Sequence, residues 1–275
     1  MRTANPALND KTFREFEVEE LAPDEREEGG EAAAPSPDRM TIEGTVTRTG
    51  FLLILLLLGA TWVWRMFFIA AESGGGDQKA LEAAVQTIMP WFIGGLAGGF
   101  VLAMITIFVP KASPVLAPIY VILEGFALGG LSAIAESQYP GIAVQAVGLT
   151  TGTLFALLFA YKAGLIKATE NFRAGVLAAT GAIFLLYIVT LALRFFAGFQ
   201  MPYIHDSGPI GIGLSVFIVI VAALNLVLDF DFIEKGAQAK APKYMEWYAA
   251  FGLMVTLVWL YVEILRLLAK LRSRD

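Results

Sequence analysis

The chain has 275 residues, 57% of them hydrophobic and only 16% charged, with a formal net charge of −5 and a mean hydropathy of +0.65. A soluble domain carries about 25% charged residues; this chain has too much apolar surface to hide from water, so lipid is its natural solvent. The absence of cysteine excludes disulfides, thiolate metal sites and cysteine nucleophiles, and no basic stripe, zinc spacing or reader motif supports nucleic-acid binding.

Residues 1–49 read as an acidic cytoplasmic tail, with a run of carboxylates between Glu15 and Glu28. Breakers at Gly29, Gly30 and Ala32–Pro37, with low hydrophobicity, predict disorder there. The tail lacks the basic start and apolar core of a signal peptide, so the first span is expected to act as an uncleaved anchor. Residues 50–275 form the second unit, a transmembrane domain.

Seven apolar stretches in that unit approach the roughly 20 residues that a bilayer core requires. They are 50–71, 88–109, 114–135, 141–161, 174–197, 209–232 and 247–268. Barrel strands run to about ten residues of alternating polarity, whereas these are twice as long and apolar all round. The expected class is therefore an all-α integral membrane protein with seven spans. Turn chemistry separates the spans at Gly74–Gly76 and at Gln138–Gly141. Asp206 followed by Pro209 offers an N-cap and a first-turn proline for the sixth.

Basic residues set the expected orientation. With the N-terminus cytoplasmic, the inner segments hold Arg39, Arg48, Lys111, Lys162, Lys167, Arg173, Lys235, Lys240 and Lys243, while the outer loops hold only Lys79. Lys270, Arg272 and Arg274 run against this pattern, and a full crossing by the seventh span is nevertheless expected. Glycines at helix-packing spacing recur as Gly94-Gly95 with Gly98-Gly99, Gly125 with Gly129, and Gly148 with Gly152. Such residues let helices approach closely, either within one bundle or across a dimer face.

Ionisable groups inside a bilayer are costly and face a cavity or a partner. Arg65 and Arg194 lie near the outer ends of their spans and can snorkel. Glu124 sits mid-span, where it is either a hydrogen-bonded structural carboxylate or part of a proton or ion path. Asp229 and Asp231 are separated by about 200° of helical rotation and cannot share a face. Asn225, one turn before Asp229, shares its face and should point inward with it, leaving Asp231 to the cytoplasmic interface. Glu263 has Arg266 at i+3 as its simplest partner.

The segments Leu224–Ile233 (LNLVLDFDFI) and Leu260–Leu268 (LYVEILRLL) resemble the last two helices of the Bax-inhibitor family, also known as transmembrane Bax-inhibitor motif or YccA-like proteins. Asn5–Leu8 (NPAL), Glu124-Gly125 and His205–Gly213 (HDSGPIGIG) look like a bacterial subgroup of it, and the resemblance covers nearly the whole chain. It implies a bundle with the last helix central, wrapped by the other six. It also implies a pH-sensitive carboxylate pair, here Asp229 and Glu263, that gates a Ca²⁺ leak. Two departures stand out: glutamate replaces the usual aspartate at 263, and Arg266 stands where many members carry asparagine. Carboxylates close together in a poorly solvated site share a proton and, once deprotonated, offer hard oxygen ligands to Ca²⁺. Lys111 is a further expected partner, able to exchange contacts with Asp229.

The expected function is thus a pH-sensitive Ca²⁺ leak or Ca²⁺/H⁺ exchange pathway in a plasma or inner membrane. Lipid, Ca²⁺ and H⁺ are its partners, and there is no resident cofactor. The alternative is a non-transporting scaffold that regulates other membrane proteins, such as a quality-control protease. Catalysis is not expected: His205, Asp206 and Ser207 are sequence neighbours and cannot adopt triad geometry, and no phosphate loop or HExxH motif is present.

Overall fold

The computed structural model describes residues 38–197 and 208–274. The N-terminal tail before Asp38, with its expected disorder, and His205, Asp206 and Ser207 lie outside the described residues. Among the described residues, seven helices are long and apolar enough to cross a membrane. In chain order they are α1 (Ile42–Ser73), α2 (Gln78–Phe108), α3 (Ser113–Gln138), α4 (Ile142–Lys162), α5 (Glu170–Ala197), α6 (Pro209–Gln238) and α7 (Met245–Arg272). A 3₁₀ turn, Pro110–Ala112, leads into α3, and among the described residues the only bridge pairing is Arg39 with Pro242.

The helices outrun the apolar stretches because their ends carry caps that hydropathy does not register. Thr41 caps α1 by accepting from the Gly44 amide at 3.0 Å, so residues 42–49, expected as tail, are helical. Gly75 and Gly76, at φ +91° and +71°, turn the chain at low steric cost, and Asp77 then caps α2 through the Ala80 amide. Glu136 reaches past the α3–α4 turn to accept from the amides of Gly141 at 2.6 Å and Ala143 at 3.0 Å. At α6 the first-turn proline is as expected, but the cap position falls on Gly208, which contributes no side chain.

The starts of α1, α3, α5 and α7 lie with the ends of α2, α4 and α6 on one face of the bundle, here the near face; the opposite end is the far face. Arg39, Arg48, Lys111, Lys162, Lys167, Arg173, Lys235, Lys240 and Lys243 all belong to the near face. α7 is the most buried helix, with 61% of its most apolar window enclosed. It packs against α1, α3, α4 and α6 and meets α5 through side chains, so it is the central helix. α2 packs chiefly against α3 and α1. At the end of α7, Arg272 donates to the Pro140 carbonyl in the α3–α4 turn. Lys270, buried, donates to Gly211 O at 3.0 Å and Ser215 Oγ at 2.9 Å in the first turns of α6. α7 therefore runs unbroken from face to face, and two of the three cations that disturbed the charge pattern are bound to helix ends.

The glycines divide by role. Methyl groups built on Gly125 and Gly129 would overlap the α1 carbonyls of Leu56 and Ala60, and one on Gly59 would fall 2.8 Å from Ile122 O. Gly95 does the same for α2 against the Leu123 carbonyl of α3, while a methyl on Gly99 would meet the Glu124 side chain. These residues bring α1, α2 and α3 into backbone contact within one bundle. Gly148 and Gly152 on α4 meet nothing within 4 Å and point outward.

Candidate functional site

Among the described residues three carboxylates are fully enclosed, and two of them lie deep in the bundle. Asp229 on α6 is 0% exposed and Glu263 on α7 is 1% exposed. Arg266, one turn along the same helix, places NH1 3.0 and 3.1 Å from the two Glu263 oxygens. The Tyr187 hydroxyl of α5 donates to Glu263 Oε1 at 2.8 Å and accepts from Arg266 at 2.6 Å. The guanidinium also lies 5.5 Å from the Tyr187 ring centre, within range of a cation–π contact. The i+3 pair expected from sequence is thus present. Tyr187, which closes it into a triad, is not among the residues singled out from sequence; its one signal is a polar tip inside the apolar run Phe184–Val189.

Asn225 shares the inward face with Asp229, as its spacing predicts. Its amide donates to Thr180 Oγ1 of α5 at 2.9 Å and to Val221 O at 2.8 Å. α5 then serves as a ruler for depth. Thr180 marks the level of Asn225 and Tyr187 that of Glu263, about 10 Å apart at 1.5 Å per residue. Asp229 lies a further turn toward the near face. The two core carboxylates therefore occupy separate levels more than about 10 Å apart along the axis, and the hydrogen bonds recorded for Glu263 run to Arg266 and Tyr187.

Asp231 faces the other way from Asp229 but is not simply solvated. Arg173 of α5 binds it at 2.6 Å and Lys235 at 2.9 Å, forming an ion triad at the near-face end of α6. Beside it the Tyr161 hydroxyl donates to Glu234 at 2.5 Å. Glu124 is half-buried on α3 against Gly99 of α2. Lys111 is exposed in the 3₁₀ turn and has no hydrogen bond or ion pair among the described residues, so the expected exchange with Asp229 is not what the structure records. Arg65 and Arg194 are both exposed near the far face, consistent with snorkelling.

The largest feature missed in the sequence is Glu246, in the first turn of α7 and 0% exposed. Its carboxylate accepts from the Thr41 amide and hydroxyl, each at 2.9 Å. It also binds Arg48 at 2.5 Å and Lys243 at 3.1 Å. Arg48 in turn lies 5.4 Å from the centre of the Trp247 ring. Backbone bonds from Met40 N to Ala241 O and from Lys243 N to Asp38 O complete the junction. The segment preceding α1 is thereby tied to the α6–α7 connection.

Among the described residues no three His, Cys, Asp or Glu side chains gather as a metal-holding group.

Fold and site define a polytopic helical membrane protein with acidic groups enclosed in its core. A family model described as Bax inhibitor 1 like matches residues 5–273, and the chain belongs to that family. No curated protein and no solved structure matches the chain.

Proposed function

We propose that the protein is a pH-modulated pathway for Ca²⁺ across the membrane, a leak or a Ca²⁺/H⁺ exchange, with Asp229 and Glu263 as its gating carboxylates. The observation that carries this reading is the complete enclosure of both acids on the central helix and its neighbour. Carboxylates at such positions are expensive in lipid and mark ion or proton routes. Their separation in depth makes them successive stations: Asp229 toward the near face, Glu263 beyond it. Arg266 is the latch, a fixed cation that holds both Glu263 oxygens and repels an arriving cation. Protonation of Glu263 or displacement of Arg266 opens that station. By the basic-residue rule, the near face is assigned to the cytoplasm, which places the N-terminus there as well.

The test is Ca²⁺ flux into liposomes containing the full chain, between about pH 5 and 8, for wild type, Asp229→Asn and Glu263→Gln. The reading expects flux above that of empty liposomes, changed in size and pH profile by each substitution. Flux equal to that of empty liposomes at every pH rejects the pathway. Flux indifferent to both substitutions rejects these residues as the gate.

The junction at Glu246 favours a second reading, a regulator of other membrane proteins. It ties the N-terminal segment to the central helix and so gives a partner bound to that segment a route to the core.

A further inference from the structure

α1 and α4 both lean on α7 but make no extended contact with each other. Between them lies a cleft made of two adjoining cavities of about 600 and 760 Å³, which share Leu53, Leu154 and Phe155 and open sideways. The cleft follows α1 from Ile42 to Trp64, a rise of about 33 Å, close to the thickness of a bilayer's hydrocarbon core. Its floor is α7, through Leu253, Met254, Leu257 and Val258.

The walls are apolar even where the residues are not. Thr45, Thr49 and Thr150 donate their hydroxyls to carbonyls one turn back on their own helices. Ser132 and Tyr261 hydrogen-bond each other at 2.7 Å. Water needs two to four polar partners and finds few along this surface. Only the near-face mouth is charged. There, Asp231 and Glu234 are already engaged by Arg173, Lys235 and Tyr161. Lys162 and Lys167 are exposed and carry no ion pair among the described residues.

We propose that the α1–α4 cleft is a binding site for an anionic phospholipid, with its headgroup phosphate at Lys162 and Lys167 and an acyl chain laid along α7. Charge complementarity at one end and a bilayer-length apolar slot behind it select this occupant. The proposal stands independently of ion transport.

The chain has no cysteine, so single cysteines label cleanly. Thr151→Cys lies in the cleft, and Ile188→Cys on α5, 46% exposed, serves as a reference outside it. Each full-length variant carries a bimane fluorophore and is reconstituted in phosphatidylcholine nanodiscs. The quencher, a minor component, is phosphatidylglycerol or phosphatidylcholine with brominated chains.

At Thr151→Cys, phosphatidylglycerol should quench at least about fivefold more effectively than phosphatidylcholine, the factor that one lysine contributes at an anionic surface. The two lipids should be equivalent at Ile188→Cys. Adding Lys162→Gln and Lys167→Gln, both exposed and remote from the core, should bring the ratio at Thr151→Cys to about one. Equal quenching by both lipids at both positions in the otherwise unaltered chain overturns the proposal. So does a phosphatidylglycerol preference that survives loss of both lysines. Absence of quenching by either lipid at Thr151→Cys, with Gly148→Cys cross-linking between copies, would replace the lipid with a second copy of the chain.

Discussion

Replacing Glu246 with glutamine tests whether the junction at the start of α7 holds the bundle together. The amide keeps the shape and can still accept from Thr41, but the ion pairs to Arg48 and Lys243 are lost. Removing the charge of one partner from a shielded pair costs up to about 3 kcal/mol. Lys243 is 40% exposed, so its share shrinks to about 0–1 kcal/mol. Arg48, at 22% exposure, retains most of its share. Glu246→Gln should therefore cost about 2–3 kcal/mol, and Glu246→Ala about 3–5 kcal/mol, since it removes every acceptor from a buried cluster. At roughly 2–4 °C per kcal/mol for a chain of this size, the glutamine variant should lower Tm in detergent by about 5–10 °C. Arg48→Met alone should reproduce most of that loss, and the double variant should lose little more. A Glu246→Gln Tm within about 1 °C of wild type, or strict additivity in the cycle, would refute the junction's role.

Gly129→Ala should destabilise the α1–α3 seam by about 3 kcal/mol or more, because its methyl meets the Ala60 carbonyl of the neighbouring helix. Gly148→Ala, facing open space, should change Tm by no more than about 2 °C. Arg266→Gln should raise Ca²⁺ flux at pH 7 several-fold in the liposome assay by freeing the Glu263 oxygens; unchanged or lower flux would remove the latch from the mechanism. Tyr187→Phe should cost about 1 kcal/mol through its lost hydrogen bonds and raise flux in the same direction, by less. Asp231→Asn should lower Tm by several degrees, since Arg173 is only 8% exposed and would lose its counter-ion.

What the sequence made legible, and what it did not, follows from the range of the signals. Span number and helical character were readable because each span carries its own apolar run. Helix ends were less so: Thr41, Asp77 and Glu136 extend or start helices through single hydrogen bonds that hydropathy averages away. Asn225, Asp229 and Asp231 were assigned to the correct faces, since 100° per residue is a local rule. Depth is not local. It depends on where α6 ends, at Gln238 rather than Phe232, and on how α5 sits beside it, so the offset between Asp229 and Glu263 was hidden. Glu246 was missed for the same reason. Thr41 lies 205 positions away, and the apolar window began one residue too late to include the acid at all. The glycine spacings announced close helix packing without revealing which faces would be used, and the structure assigns Gly125 and Gly129 inward and Gly148 outward.

The central position of α7 has a consequence for how the molecule is made. A ribosome delivers the other six helices first, so the growing chain is for a time a bundle without its central helix. α1, α2 and α3 can lock through their glycine seams during that interval, but α4 and α6 have their main partner still to come. Insertion of Met245–Arg272 is then the closing event of assembly. A chain halted before it would present an empty groove to the bilayer, a form that membrane surveillance could distinguish from the finished protein.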